Sequence, residues 1–349
     1  MVNIVVVEDT LVSNETLIDA IQQMNLEGGT PTIKKFSWNA GLTKDQFQEK
    51  ILQIEKGGSE AVEIPDGILD AMKDADYLFV HLAPVSKAML DAAQNLKLIG
   101  TCRGGLEHIY MPGVREKNIP LIHVIRNAEP VADFTLALMY TETRNIARAH
   151  LSIRQGQWRK SFSNDPYKTV LANQTVGLIG LGYIGKLVLK RLNALGINVI
   201  VYDPYVDQGK IANQGLKVEF YDDIKEVFKS ANIISLHMRV TPETTNMINK
   251  DLIGLMRPDG YLINTARAAI LNKDDLVDAL QNKRIAGAAL DVLWEEPIPE
   301  GDPLLTLDNI TLTTHIAGDT VDAIPRAPYL LKDVINEYLK TGISDMLVK

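Results

Sequence analysis

The chain has 349 residues, more than one core usually organises, so two domains are expected at about 150 residues each. Hydrophobic residues make up 46% and charged residues 23%, with a mean hydropathy of −0.01, which excludes disorder, collagen and a membrane-embedded protein. Asp and Glu outnumber Lys and Arg, 44 to 36, with the signs interspersed; a net charge of −8 argues against nucleic acid but leaves local arginines able to hold an anionic substrate. No basic segment precedes the first apolar run, and the one cysteine, Cys102, has no partner for an internal disulfide, so a cytoplasmic protein is expected.

Along the chain, short apolar runs alternate with amphipathic stretches, the pattern of parallel sheets covered by helices. Strands are expected at 4–7, 31–36, 77–81, 96–102 and 121–124, with helices over 10–24, 43–54 and 87–94. A long amphipathic helix over 130–152 and an irregular arm over 154–173 follow. The alternation restarts at 176–179 and continues through 198–202, 233–237, 261–264, 286–291 and 310–313, with helices over 222–230, 250–256 and 274–281. The expected class is α/β, with two doubly wound domains. In the tail, Leu330, Leu331, Val334, Ile335, Tyr338 and Leu339 share one helical face that needs a surface. Its return to the first domain would give a discontinuous unit, 1–125 with 320–349, around a second domain at 126–319.

The run Val176-Gly177-Leu178-Ile179 leads into Gly180-Leu181-Gly182-Tyr183-Ile184-Gly185 and an amphipathic stretch that stops at Gly196. This is G-x-G-x-x-G in strand, turn and helix context. Gly180 permits the tight turn, Gly182 lets the backbone approach a pyrophosphate, and Gly185 lets helix and strand pack closely. Asp203 ends the next strand 18 residues after Gly185, where a carboxylate accepts from ribose hydroxyls. No Arg or Lys follows until Lys210, so NAD is expected rather than NADP.

Three polar segments close later strands: Asn264-Thr265-Ala266-Arg267, Asp291 through Pro297, and Thr314-His315-Ile316-Ala317-Gly318. An Arg, a carboxylate and a His beside a nicotinamide suit hydride transfer at a carbonyl. In these segments, their order and their spacing, the chain resembles the D-isomer-specific 2-hydroxyacid dehydrogenase family over 96–318. The resemblance implies a Rossmann NAD-binding domain and a flavodoxin-like substrate domain with a cleft between them. It also implies that Arg267 binds the substrate carboxylate, that Glu296, the acid directly before Pro297, supports His315, and that His315 moves the proton. Arg is a fixed, always charged fork, and His titrates near neutral pH.

Cofactor contacts are implied at Tyr183, Ile184, His237, Thr265, Asp291 and Gly318 beside Gly180, Gly182, Gly185 and Asp203, with Asp291 at the nicotinamide amide. A substrate loop is implied at Cys102-Arg103-Gly104-Gly105-Leu106-Glu107-His108: Gly104 and Gly105 offer backbone N–H groups, Arg103 adds charge, and His81 joins the pocket from a strand end. Cys102, His108, His123 and His150 read as structural, and no metal is expected. Two departures bear on the substrate: Ala268 follows the Arg where the family usually has Gly, and Arg239 stands where it commonly has Pro.

The expected function is NAD-dependent interconversion of a D-2-hydroxy acid and its 2-oxo acid, by a homodimer built on the 130–152 helix and the arm around Trp158. Three alternatives compete. Formate oxidation is disfavoured, because that branch pairs its histidine with Gln where this chain has Glu296. A non-catalytic, NAD(H)-sensing corepressor-like relative would keep the same motifs. A phosphoglycerate dehydrogenase would here be a short form, since about 30 residues follow Gly318, with Arg103 or Arg239 on the phosphate.

Overall fold

A computed structural model describes residues 2–348. Residues up to Asn127 together with those from Thr320 form one compact unit, and Ala128–Asp319 form another. Arg126 therefore lies in the first unit.

The first unit is built on β1 (Val2–Glu8), β2 (Pro31–Ser37), β3 (Tyr77–Val80), β4 (Leu98–Thr101) and β5 (Leu121–His123). They lie parallel in the order β5-β4-β3-β1-β2, with the short strand Leu347–Val348 antiparallel on β5. This 2-1-3-4-5 order is flavodoxin-like. The apolar face of the tail becomes the helix Ala323–Thr341, whose Ala327, Leu331 and Ile335 pack with Val2, Ile4, Phe79 and Ile122 of the sheet.

The second unit holds β6 (Thr175–Ile179), β7 (Asn198–Tyr202), β8 (Glu219–Phe220), β9 (Ile233–Leu236), β10 (Tyr261–Asn264), β11 (Gly287–Leu290) and β12 (Ile310–Leu312). All are parallel, in the order β8-β7-β6-β9-β10-β11-β12. This is the Rossmann order extended by one strand, and its switch point lies between β6 and β9, where open α/β sheets bind ligands. Among the described residues no helix is long and apolar enough to cross a membrane.

Several boundaries differ from the sequence expectation for local reasons. The helix expected over 10–24 is Asn14–Gln22, because Ser13 caps it at the Thr16 amide and Asp9 accepts from the Leu11 and Val12 amides, holding that stretch as a turn. The single helix expected over 130–152 is two, Ala128–Thr143 and Ile146–Arg154. Asn145 between them has φ 59°, a left-handed conformation that Asn tolerates and that ends helical propagation. β8 and Leu347–Val348 are two-residue strands, too short to show alternation.

Candidate active site

Gly180 to Gly182 join β6 to the helix Tyr183–Ala194. Gly180 has φ 94°, and a Cβ there would lie 3.0 Å from the His237 carbonyl. A Cβ on Gly185 would lie 2.5 Å from the Gly180 oxygen, so any side chain would push the loop away. Around Gly182 there is open space, and no side chain caps the helix that follows, so its first-turn N–H groups suit a ligand's phosphates. Asp203 ties this loop to the end of β7, its Oδ2 accepting from the Leu181 amide at 2.6 Å and its Oδ1 from the Tyr205 amide at 2.9 Å. Each oxygen keeps a lone pair for a ribose hydroxyl. The glycine loop, open helix terminus and carboxylate together fit the pyrophosphate and ribose of a dinucleotide. Tyr183 and Ile184 open the helix, and His237 follows β9 with its Nε2 3.0 Å from Ser235 Oγ. Burial pushes the His237 imidazole down to about 4, so it is neutral.

At the end of β10, fully buried Asn264 shapes the turn that turns Arg267 outward. Its Oδ1 accepts from the Ala266 amide and its Nδ2 donates to the Arg267 carbonyl, both at 3.0 Å. Thr135 Oγ1 donates to the Val131 carbonyl, so it accepts from the Thr265 hydroxyl at 2.8 Å. Thr265 thus turns its hydroxyl inward.

Glu296 Oε2 lies 2.8 Å from His315 Nδ1, and its Oε1 accepts from the Leu293 amide at 2.9 Å. Burial disfavours the charged carboxylate, but the Leu293 amide, the His315 hydrogen bond and charge, and the charge of Arg267 outweigh it and hold Glu296 below its ordinary range. The ionised carboxylate accepts, so His315 Nδ1 carries hydrogen and Nε2 is the atom available to exchange a proton. The structure thus brings Arg267, Glu296 and His315 together in the second unit.

Asp291 differs from the role implied for it. It is 1% exposed, and its carboxylate turns to its own chain: Oδ1 accepts from Thr313 Oγ1 at 2.6 Å and the Ile316 amide at 3.0 Å, and Oδ2 accepts from the Ala317 amide at 2.8 Å. These bonds bracket His315, whose φ of 58° is sparsely populated for a residue with a side chain. Asp291 therefore holds the strained turn that presents the imidazole, with Gly318 just beyond it.

In the first unit, Gly104 is exposed, and a Cβ on Gly105 would lie 2.4 Å from Glu107 Oε2. Arg103 Nη2 stands 3.4 Å from Glu107 and 3.6 Å from Glu55. His81 requires a correction: its ring is fully buried, with Nδ1 2.9 Å from Asp9 Oδ2 and Nε2 2.9 Å from Arg126 Nη1, so neither nitrogen is left for a substrate. His108 and Cys102 are buried; burial first, then the charge of Arg103, hold His108 well below its ordinary value, and burial pushes the Cys102 thiol up. Sequence reasoning passed over Asp9 and Arg126. Both stand just beyond the ends of parallel strands, the one local signal that marks them.

Residues 136–317 match the family model described as D-isomer specific 2-hydroxyacid dehydrogenase, NAD binding domain. The chain is similar to the D-3-phosphoglycerate dehydrogenase of Methanocaldococcus jannaschii, 35% identical over 315 residues that cover 88% of this chain and 59% of that one. It is also similar to the glyoxylate reductase of Thermofilum pendens, 35% identical over 288 residues, 80% of this chain and 83% of that one. The NAD complexed form of a D-isomer specific 2-hydroxyacid dehydrogenase from Lactobacillus delbrueckii ssp. bulgaricus shares the fold, with a TM-score of 0.69 at 21% identity over 99% of this chain and 100% of that one. The chain spans about half the length of the phosphoglycerate dehydrogenases it matches. It belongs to the D-isomer specific 2-hydroxyacid dehydrogenase family, and its second unit carries that family's NAD-binding domain.

Proposed function

We propose that this protein catalyses the NAD-dependent interconversion of a D-2-hydroxy acid and its 2-oxo acid. The observation that carries the reading is the 2.8 Å pair of His315 and Glu296, close enough to Arg267 to feel its charge, in the same unit as the dinucleotide loop. When bound, the nicotinamide dinucleotide supplies the hydride for the carbonyl carbon, or takes it back in the reverse direction. Arg267 holds the substrate carboxylate through its planar fork, and its charge polarises the adjacent carbonyl. As reduction proceeds, His315 Nε2 gives a proton to the carbonyl oxygen; in oxidation it takes that proton from the hydroxyl. Glu296 at Nδ1 orients the ring and balances the imidazolium.

Gly180, Gly182, Tyr183, Ile184 and Gly185 cradle the pyrophosphate in this reading, Asp203 takes the ribose, and His237, Thr265 and Gly318 line the nicotinamide side. The first unit's own candidate donors for a substrate group are the Gly104 and Gly105 amides. A homodimer is proposed on the exposed apolar side chains of Ile146, Leu151, Ile153 and Trp158, which fall in one short stretch.

The test is NADH oxidation followed against a panel of 2-oxo acids that vary in size and charge. Turnover confined to one class supports the reaction and identifies the pocket that selects it. Silence across the panel, with NADH binding confirmed by fluorescence, moves the reading to a non-catalytic NAD(H) sensor.

A further inference from the structure

Glu296 stands on a segment with no regular structure of its own. Between the end of β11 at Leu290 and the short 3-10 helix Pro303–Thr306, residues 291–302 form neither helix nor strand. A carboxylate keeps a 2.8 Å contact from such a segment only if the backbone under it is anchored, because a free loop gives up its geometry to conformational entropy. The Leu293 amide that Glu296 accepts belongs to the same segment and moves with it. The anchor has to come from elsewhere in the unit.

Trp294, two residues before Glu296, supplies one. Its indole Nε1–H donates to the Leu271 carbonyl at 3.0 Å, and its ring packs on the core cluster that contains Ile270 and Leu271. Leu271 is itself fixed. It is fully buried and closes the short helix Ala268–Ile270 that follows Arg267, its amide donating to the Ala268 carbonyl at 2.9 Å. On either side of it, the Ile270 carbonyl accepts from the Ile248 amide at 3.0 Å and the Asn272 amide donates to the Ile248 carbonyl at 2.9 Å. The indole N–H is therefore a direct link, inside the second unit, between the backbone that presents Arg267 and the backbone that presents Glu296.

The far end of the segment is tied to the same stretch. Lys273, two residues after Leu271, donates its Nζ to Asp302 Oδ2, and Asp302 Oδ1 accepts from the Leu304 amide at 3.0 Å. The Asp302 side chain is 3% exposed, and Lys273 Nζ stands 6.0 Å from the centroid of the Trp294 ring. Residues 271–273 thus grip the Glu296 segment at two points, and the proposed reaction uses neither Trp294 nor Lys273.

We propose that Trp294 is a positioning residue for the reaction: its indole, held on the Leu271 carbonyl, sets the Glu296 carboxylate against His315 and fixes its place relative to Arg267, while the Lys273–Asp302 pair holds the rest of the segment. The consequence for turnover rests on the dehydrogenase reading; the placement of Glu296 does not. Without the indole donor the Leu271 carbonyl loses its partner, the segment relaxes, and the imidazolium of His315 loses the carboxylate that balances it.

In the full-length protein, Trp294→Phe keeps an aromatic ring on the core and removes only the donor. With NADH and a 2-oxo acid that wild type reduces, kcat should fall about 10-fold or more, with KM for the acid within about twofold of wild type. The alkaline limb of the kcat profile should move to lower pH, because His315 must be protonated to donate and Glu296 no longer favours that form. An NADH Kd equal to wild type shows that the variant is folded. The decisive comparison is Trp294→Phe added to Glu296→Ala: if the indole acts through that carboxylate, the second change costs little more. Equal losses in both backgrounds, or wild-type kcat in Trp294→Phe, overturn the assignment. Should Trp294→Phe not fold, Asp302→Asn loosens the other anchor and is read in the same way, against the same Glu296→Ala background.

If no acid turns over, the reaction reading fails on its own, and the placement is judged by NMR. The C2–H signal of His315, identified by its absence from His315→Asn, is followed through pH. A midpoint that Trp294→Phe lowers in the wild-type background but not in Glu296→Ala supports the assignment. An unchanged midpoint, or a shift of the same size in both backgrounds, overturns it.

Discussion

His315 with Glu296 and His81 with Asp9 form histidine–carboxylate pairs beyond the ends of parallel strands, and their surroundings suit them to different work. In the second unit the His315 and Glu296 side chains are 48% and 39% exposed, and Nε2 of the ring has no partner among the described residues. In the first unit the His81 and Asp9 side chains are fully buried, and the second ring nitrogen already receives Arg126. The distances are nearly the same, 2.8 and 2.9 Å. A histidine–carboxylate contact therefore does not by itself mark an acid–base catalyst. What decides is the partner of the other nitrogen: open, it can pass a proton; occupied by an arginine, it can only orient.

The largest expected effect comes from removing the open nitrogen. His315→Asn should lower kcat by about 1,000-fold or more with NADH affinity unchanged in a fluorescence titration; near-normal turnover would leave the two pairs without a functional distinction. Arg267→Lys should lower kcat/KM for the 2-oxo acid by about 100-fold, because an ammonium cannot reproduce the bidentate fork. Loss of NADH binding in that variant would instead place Arg267 on the nucleotide. Asp291→Asn sets an amide against the Ile316 and Ala317 N–H groups that now face a carboxylate. It should cost about 1–3 kcal/mol in urea unfolding and lower kcat as the His315 turn relaxes. Unchanged stability and rate would show that the turn holds itself.

The smallest effect sharpens the buried side of the comparison. His81 and His108 are both held below their ordinary 6.5, chiefly by burial. As pH falls, the unfolded chain takes up protons at these histidines before the folded one does, so their contribution to stability is present above about 6.5 and lost below it. The urea midpoint should fall between pH 7.5 and pH 5.5, and fall less in His108→Gln; a midpoint flat across that interval would contradict neutral buried imidazoles.

How much of this was legible before folding depended on sequence separation. The dinucleotide loop was readable because its requirements are local: a positive φ at Gly180, no room for a Cβ at Gly185 and an acid at the end of the next strand are all met within a short window. The alternation of apolar runs likewise announced parallel sheets covered by helices, and the apolar stripe of the tail announced that it needed a surface. Where strands were only two residues long, or where Asn145 broke a helix with a left-handed backbone, periodicity had nothing to record.

The resemblance directed attention to Glu296 rather than its neighbour Glu295, and the structure places Glu296 against His315. By contrast His81, read from its strand end as a pocket residue, is enclosed by Asp9, 72 positions away, and Arg126, 45 positions away. The sequence alone thus determined the cofactor loop, the sheet-and-helix alternation and the residue types available for chemistry, because these follow from local backbone geometry and the burial of periodic faces. Only the tertiary structure decided which histidine keeps a free nitrogen, which carboxylate props a strained turn and that Arg126 has no carboxylate partner among the described residues. Those properties depend on which strand ends become neighbours and how far water is excluded from them.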